Sequence, residues 1–263
     1  MSGVANTPLE LDDIQSGILR PRPSPYAATY ILLRIDDREA GRELMERLST
    51  AVASAGNPLS PVGDTWLSVA LTFHGLKALG VPRASLDSFA WEFRQGMAAR
   101  AKTLGDTGES SPEHWEKPLG TPDVHVVLVA VAPDARRLEA ALARARNALE
   151  ALAGVEAIWR QDCHALPTQR EPFGFRDGIS HPAIEGSGIP GTNSRESPLK
   201  AGEFVLGYPD EMGGLPRCPS PRSWDATGRM SPSASCISAW RRSVNTCERT
   251  PPAPRMRNSS RPS

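Results

Sequence analysis

Apolar positions along the first two thirds of the chain switch repeatedly between a period of two and a period near 3.6. Tyr26 to Ile35, "YAATYILLRI", is β-branched and aromatic and predicts a strand. Residues 36–56 follow as a helix whose Leu44, Leu48, Ala51 and Val52 recur at helical spacing, with Asp36 or Asp37 placed to cap its start. Thr65 to Thr72, "TWLSVALT", alternates as a second strand. "FHGLKALGVP" is then a short helix stopped by Gly80 and Pro82, and "LDSFAWEFRQGMAARA" one further helical segment. After a Gly-, Ser- and Pro-rich loop, Asp123 to Ala132, "DVHVVLVAVA", is apolar on both faces, as a central, covered strand is. The clearest helix carries Leu138, Leu142, Ala145, Leu149 and Leu152 on one stripe, and "VEAIWRQDCHAL" closes the series as a fourth strand. The order β-α-β, a helical insertion, then β-α-β is the split pattern of a ferredoxin-like α+β sandwich, predicted over residues 1–170.

Beyond Leu166 the texture becomes Pro- and Gly-rich, and in residues 171–216 only "EFVLGY" reads as a strand. A long irregular stretch in a compact protein is usually functional or disordered. It opens on "EPFGFRDGISHPAIEG", in which Asp177 lies between glycines. By itself Gly-x-x-Asp-Gly describes a tight turn in which Asp bonds local amides. Its place, directly after the last strand of a sandwich, is where site residues concentrate. Among the histidines, His125 in an apolar strand and His74 at a helix start read as structural.

The 263 residues carry no formal net charge, so nothing global points to nucleic acid or an anionic membrane. No stretch approaches the roughly 20 apolar residues of a membrane helix, and the N-terminus has no basic start or apolar run, so a cytoplasmic location is expected. The zero conceals an asymmetry. Residues 217–263 hold nine Arg, ten Ser and seven Pro against two acidic residues, which makes this segment +7 and the preceding 216 residues −7. Cys218, Cys236 and Cys247 also fall there, at spacings that match no zinc pattern.

On "IQSGIL", "VALTFHGLKALGVP", "FRQGMAARAKTLGD" with "HW" following, "FGFRDGIS" and "AGEFVLGYPDEMGGLP", the sequence resembles the dye-decolorizing peroxidases, haem enzymes of the dimeric α+β barrel type built from two ferredoxin-like domains. The likeness spans about residues 10–216, with the second domain incomplete. It implies haem b as cofactor, hydrogen peroxide and an aromatic, dye-like or phenolic reductant as partners, and Asp177 as the acid over the distal haem face. There Asp177 would take a proton from the bound peroxide and return one to the departing oxygen. Phe175, Gly178, Ile179 and Ser180, which flank the acid, are the candidates for lining the haem edge, and Arg176 for salt bridges that hold the loop. With an ordinary Asp pKa near 4, such an enzyme is expected to work best in acid.

In this family the axial histidine and a distal arginine come from the second domain, yet no histidine follows His181 here. His181 sits beside the distal acid and is not read as the axial ligand, so no metal ligand is assigned. Reading Trp224 to Cys247 two bases later, with one permitted set of codons, gives a string resembling what the family carries next. A frameshift near Pro216 is therefore expected, with residues 217–263 an out-of-frame, disordered tail and weak haem binding as the result. The competing expectations are a haem-free ferredoxin-like binding or assembly module, with homo-oligomerisation open, and a basic nucleic-acid-binding tail.

Overall fold

The computed structural model describes residues 9–56, 65–150, 152–168, 170, 173–176 and 181–215. A one-turn helix, α1 (Ser16–Leu19), precedes the first strand, β1 (Ala27–Ile35). Helix α2 (Arg38–Ala51) starts where the Asp37 carboxylate accepts the Ala40 N–H at 2.8 Å, so Asp37 is the cap. Strand β2 (Trp66–Leu71) leads into α3 (Phe73–Ala78) through Thr72, whose hydroxyl accepts the Gly75 N–H at 3.0 Å. Gly80 ends that helix at φ +76°. Its N–H bonds the Lys77 carbonyl and the Val81 N–H bonds the Leu76 carbonyl, a Schellman closure that favours glycine.

Helix α4 (Arg83–Leu86) ends where the segment predicted as a further helix begins, α5 (Trp91–Ala99) fills most of that segment, and α6 (Ala101–Leu104) starts where it ends. The extended backbone of Ala90 separates the first two, and Gly96, at φ +74° and ψ 172°, kinks α5 itself. Strand β3 (Val126–Ala132), helix α7 (Ala135–Leu149), capped by Asp134, and strand β4 (Val155–His164) complete the series.

The four strands form one antiparallel sheet in the order β2-β3-β1-β4. Each β-α-β unit therefore skips one strand, and the split β-α-β sandwich of the sequence is the fold observed, with β3 interior as its apolar run predicted. Helices α2 and α7 cover one face. Leu33, Ile35, Leu67, Val69, Val126 and Leu128 from that face meet Leu44, Leu48, Leu138, Leu142 and Ala145. Each large apolar side chain fully buried this way contributes about 1.5–3 kcal/mol. Register slips once, between Leu32 and Leu33, where β4 bulges at Ile158. Thr29, fully buried in β1, donates to the Asp162 carboxylate at 2.7 Å. That bond, with Arg160 next to it, holds the Asp162 carboxyl below its ordinary range.

The opposite face carries a smaller cluster of Ala28, Trp66 and Val131, with Tyr26, Val129 and Cys163 against it. On the outer edge of β2 one side chain covers the middle of the strand: the Gln15 amide donates to the Val69 carbonyl at 2.8 Å and accepts the Val69 N–H at 2.9 Å. Helices α3 to α6 hang from the end of the sheet through a tight joint. A Cβ on Gly75 would lie 2.0 Å from the His125 carbonyl oxygen, so only glycine permits that approach. Among the described residues no helix is long and apolar enough to cross a membrane.

Candidate active site

The Gly-rich loop leaves β4 and returns across the N-terminal segment, and the described residues fix both flanks of its motif. Upstream, Arg170 pairs with Arg176 in an isolated antiparallel bridge, and the Arg170 guanidinium donates to the Gly174 carbonyl at 2.7 Å. Gly174 turns the chain at φ +90° with open space around its α-carbon, so the need for glycine is conformational. Phe173 and Phe175 project outward, 86% and 72% exposed. Arg176 forms no ion pair among the described residues. Asp177, Gly178, Ile179 and Ser180 lie outside the described residues, as does the segment 217–263.

Downstream, the His181 N–H donates to the Thr192 hydroxyl at 2.9 Å and the Thr192 N–H returns to the His181 carbonyl at 2.9 Å. His181 Nε2 lies 3.2 Å from the Leu19 carbonyl at the end of α1. The chain then pairs Ile184 with Leu199, and Ile184, Ala201 and Tyr208 bury themselves with Ile14, Leu19 and Ala55 in a second apolar core. The Tyr208 hydroxyl accepts the Glu10 N–H at 3.1 Å, a link between positions 198 residues apart. Lys200 pairs with Glu185 at 2.8 Å, which raises its ammonium pKa.

The strand predicted at "EFVLGY" is absent. Ala201–Glu203 forms a 3-10 turn, and the Val205 N–H bonds back to the Ala201 carbonyl. Gly207 adopts φ +90°, and the backbone at Gly202 passes so close to Tyr208 that a Cβ would lie 2.3 Å from its carbonyl oxygen. The apolar residues Val205 and Tyr208 face the second core from a turn, which local β-propensity does not reveal.

A haem ligand set is not found among the described residues. His125 Nδ1 accepts the Ile35 N–H at 2.8 Å, and burial, reinforced by His74, holds its pKa below the usual histidine value. His181 faces a backbone carbonyl, His74 lies edge-on to Phe73 at 6.3 Å, and His114 and His164 sit on an exposed turn and the exposed end of β4. No described group of three or more His, Cys, Asp or Glu side chains could hold a metal ion. Of two clefts, one along Leu9–Asp13 and Gly56 and one between α7 and β4, neither is lined by a histidine or by a residue of the motif flanks. This donor set does not fit an axially ligated haem.

Residues 13–158 match the family model described as the DyP dimeric alpha+beta barrel domain. A dye-decolorizing peroxidase of Exidia glandulosa is 29% identical over 193 residues, which cover 71% of this chain and 37% of that protein. Peroxidase 2 of Mycetinis scorodonius is 27% identical over 214 residues, covering 78% and 39%. Among solved structures, an ancestral D-type dye decolorizing peroxidase aligns with a TM-score of 0.64 at 25% identity, over 83% of this chain and 47% of that one. A fungal DyP-type peroxidase from Auricularia auricula-judae aligns with a TM-score of 0.63 at 22% identity, over 83% and 46%. The chain spans less than half the length of these relatives.

Proposed function

The chain belongs to the dye-decolorizing peroxidase family, and from that premise we propose that it carries the proton-handling side of a haem peroxidase that reduces hydrogen peroxide and oxidises bulky dye-like or phenolic reductants. What supports this most is the place of Gly174-Phe175-Arg176-Asp177-Gly178 in the sequence, soon after the last strand of the domain that the family model matches. A bound haem b would supply the redox chemistry. Asp177, as an ionised carboxylate, would accept a proton from one peroxide oxygen and deliver it to the other, which leaves as water. Phe175, Gly178, Ile179 and Ser180 would line the cofactor edge, and the exposure of Phe175 leaves its ring available for that contact.

The described imidazoles do not fit an axial ligand, so this chain's own residues are assigned proton transfer and pocket lining only. With the described imidazoles held as hydrogen-bonded or surface groups outside either cleft, these residues are expected to bind haem weakly. Titrating purified protein with haemin tests this: a shallow, sub-stoichiometric Soret change is expected, and a stoichiometric band with rapid peroxide turnover would overturn it. Whatever haem-dependent peroxide consumption remains is expected to fall about 10²–10⁴-fold in Asp177→Asn. An unchanged rate would remove Asp177 from the reaction.

A second reading, a haem-free binding or assembly module, draws on apolar side chains left outside both cores. On the helical insertion Trp91 is 54% exposed and Met97 64%. A defined oligomer without haem in size-exclusion chromatography would select this reading.

A further inference from the structure

We propose that the cleft between α7 and β4 binds a medium-chain fatty-acid anion, independently of any haem or peroxide chemistry. The cleft measures about 350 Å³, at the lower end of the roughly 300–1,000 Å³ of small-molecule sites, so it suits a single unbranched alkyl chain. Its floor is the rim of the first core, with Ile31 from β1 and Leu142 and Leu149 from α7. Its outer wall is Ala157, Ile158, Trp159 and Arg160, four consecutive residues of the outer strand β4. A regular strand offers only every second side chain to one side of its sheet. Here the extra residue at Ile158 breaks the alternation, so neighbours along β4 share one wall.

The charge of the lining selects the ligand's head group. Arg146 and Arg160 belong to it, and no acidic side chain does. Arg146 reaches the cleft because it shares a helical stripe with Leu142 and Leu149. Both guanidinium groups converge on one carboxylate just outside the lining, that of Glu139, at 3.6 and 3.9 Å. These separations are too long for hydrogen bonds. Arg160 donates from Nε to Asp162 at 2.9 Å, which orients its side chain and leaves its terminal nitrogens without a hydrogen bond among the described residues. An alkyl carboxylate laid along the aliphatic floor would offer both arginines the short, charge-assisted bonds that Glu139 does not make. The Trp159 indole N–H already donates to Glu116 at 2.8 Å, so that ring adds only apolar surface.

Isothermal titration calorimetry of the full chain with decanoate, kept below its micelle concentration, should give saturable one-to-one binding. Acetate, which lacks the tail, and decyltrimethylammonium, which carries the tail with the opposite charge, should give none. Arg146→Gln and Arg160→Gln should each weaken decanoate about fivefold or more. Glu139→Gln, which removes the competing carboxylate, should tighten it about twofold or more. Ala157→Phe, at an exposed position where a larger side chain would fill the cleft, should abolish binding without lowering the thermal midpoint. Absence of decanoate binding, unchanged affinity in the arginine variants or in Ala157→Phe, or weaker binding in Glu139→Gln would each overturn the proposal. So would equal binding of decyltrimethylammonium, which would mark plain surfactant adsorption.

Discussion

His125 stands where three parts of the fold meet. Its carbonyl accepts the Thr72 N–H before α3, its Nδ1 accepts the Ile35 N–H at the end of β1, and β3 begins one residue later. Protonating Nδ1 would remove that acceptor. The folded pKa lies below the ordinary value, lowered first by burial and then by His74, against the raising influence of the Pro122 backbone, Asp123 and Asp36. The stability tied to neutral His125 is thus complete above the unfolded pKa of about 6.5 and is lost as pH falls towards the folded value. His125→Asn, whose side-chain oxygen can still accept from Ile35, should be less stable at neutral pH yet lose less between pH 7 and 5 than wild type. Urea midpoints at several pH values check this; parallel curves would count against it. That His125 is structural was legible from its apolar neighbours. The atom it serves was not, because Ile35 lies 90 positions away.

At the level of elements, the strands and the two long helices were legible because each presents a sustained period to one core. The insertion was not, since its apolar residues serve neighbouring short helices and aromatic contacts. Phe89 stacks on Phe93 at 5.1 Å and Phe93 meets Phe73 edge-on at 6.2 Å. These contacts carry no helical period across Gly96, and the break there is a backbone event. A Cβ on Gly96 would meet nothing within 4 Å, so Gly96→Ala tests the backbone alone. At φ +74° the substitution should cost about 1–2 kcal/mol in chemical unfolding. A gain in stability would mean that α5 can run straight through the kink.

For the whole molecule, the second core joins residues 9–20 to 181–208 and so closes the chain on itself. Nothing in the local pattern announces it: Tyr208 is fully buried, yet its sequence neighbourhood reads as a strand where the structure forms a turn. Truncating Tyr208 to Ala should cost about 3–5 kcal/mol, with exchange rising over 181–208 and 9–20 more than over β1 and β3. Uniform loosening would show that the two cores melt as one. The motif at Asp177 was recognisable because a family signature travels with the sequence, whereas the tethers around it depend on residues far away along the chain. The Gln15 amide that covers the middle of β2 has a further consequence, for the ageing of the protein. Slow hydrolysis of that amide to a carboxylate would replace the donor facing the Val69 carbonyl with a second acceptor. The edge would then open to an incoming strand, so stored material would drift towards association through a chemical change at a single side chain.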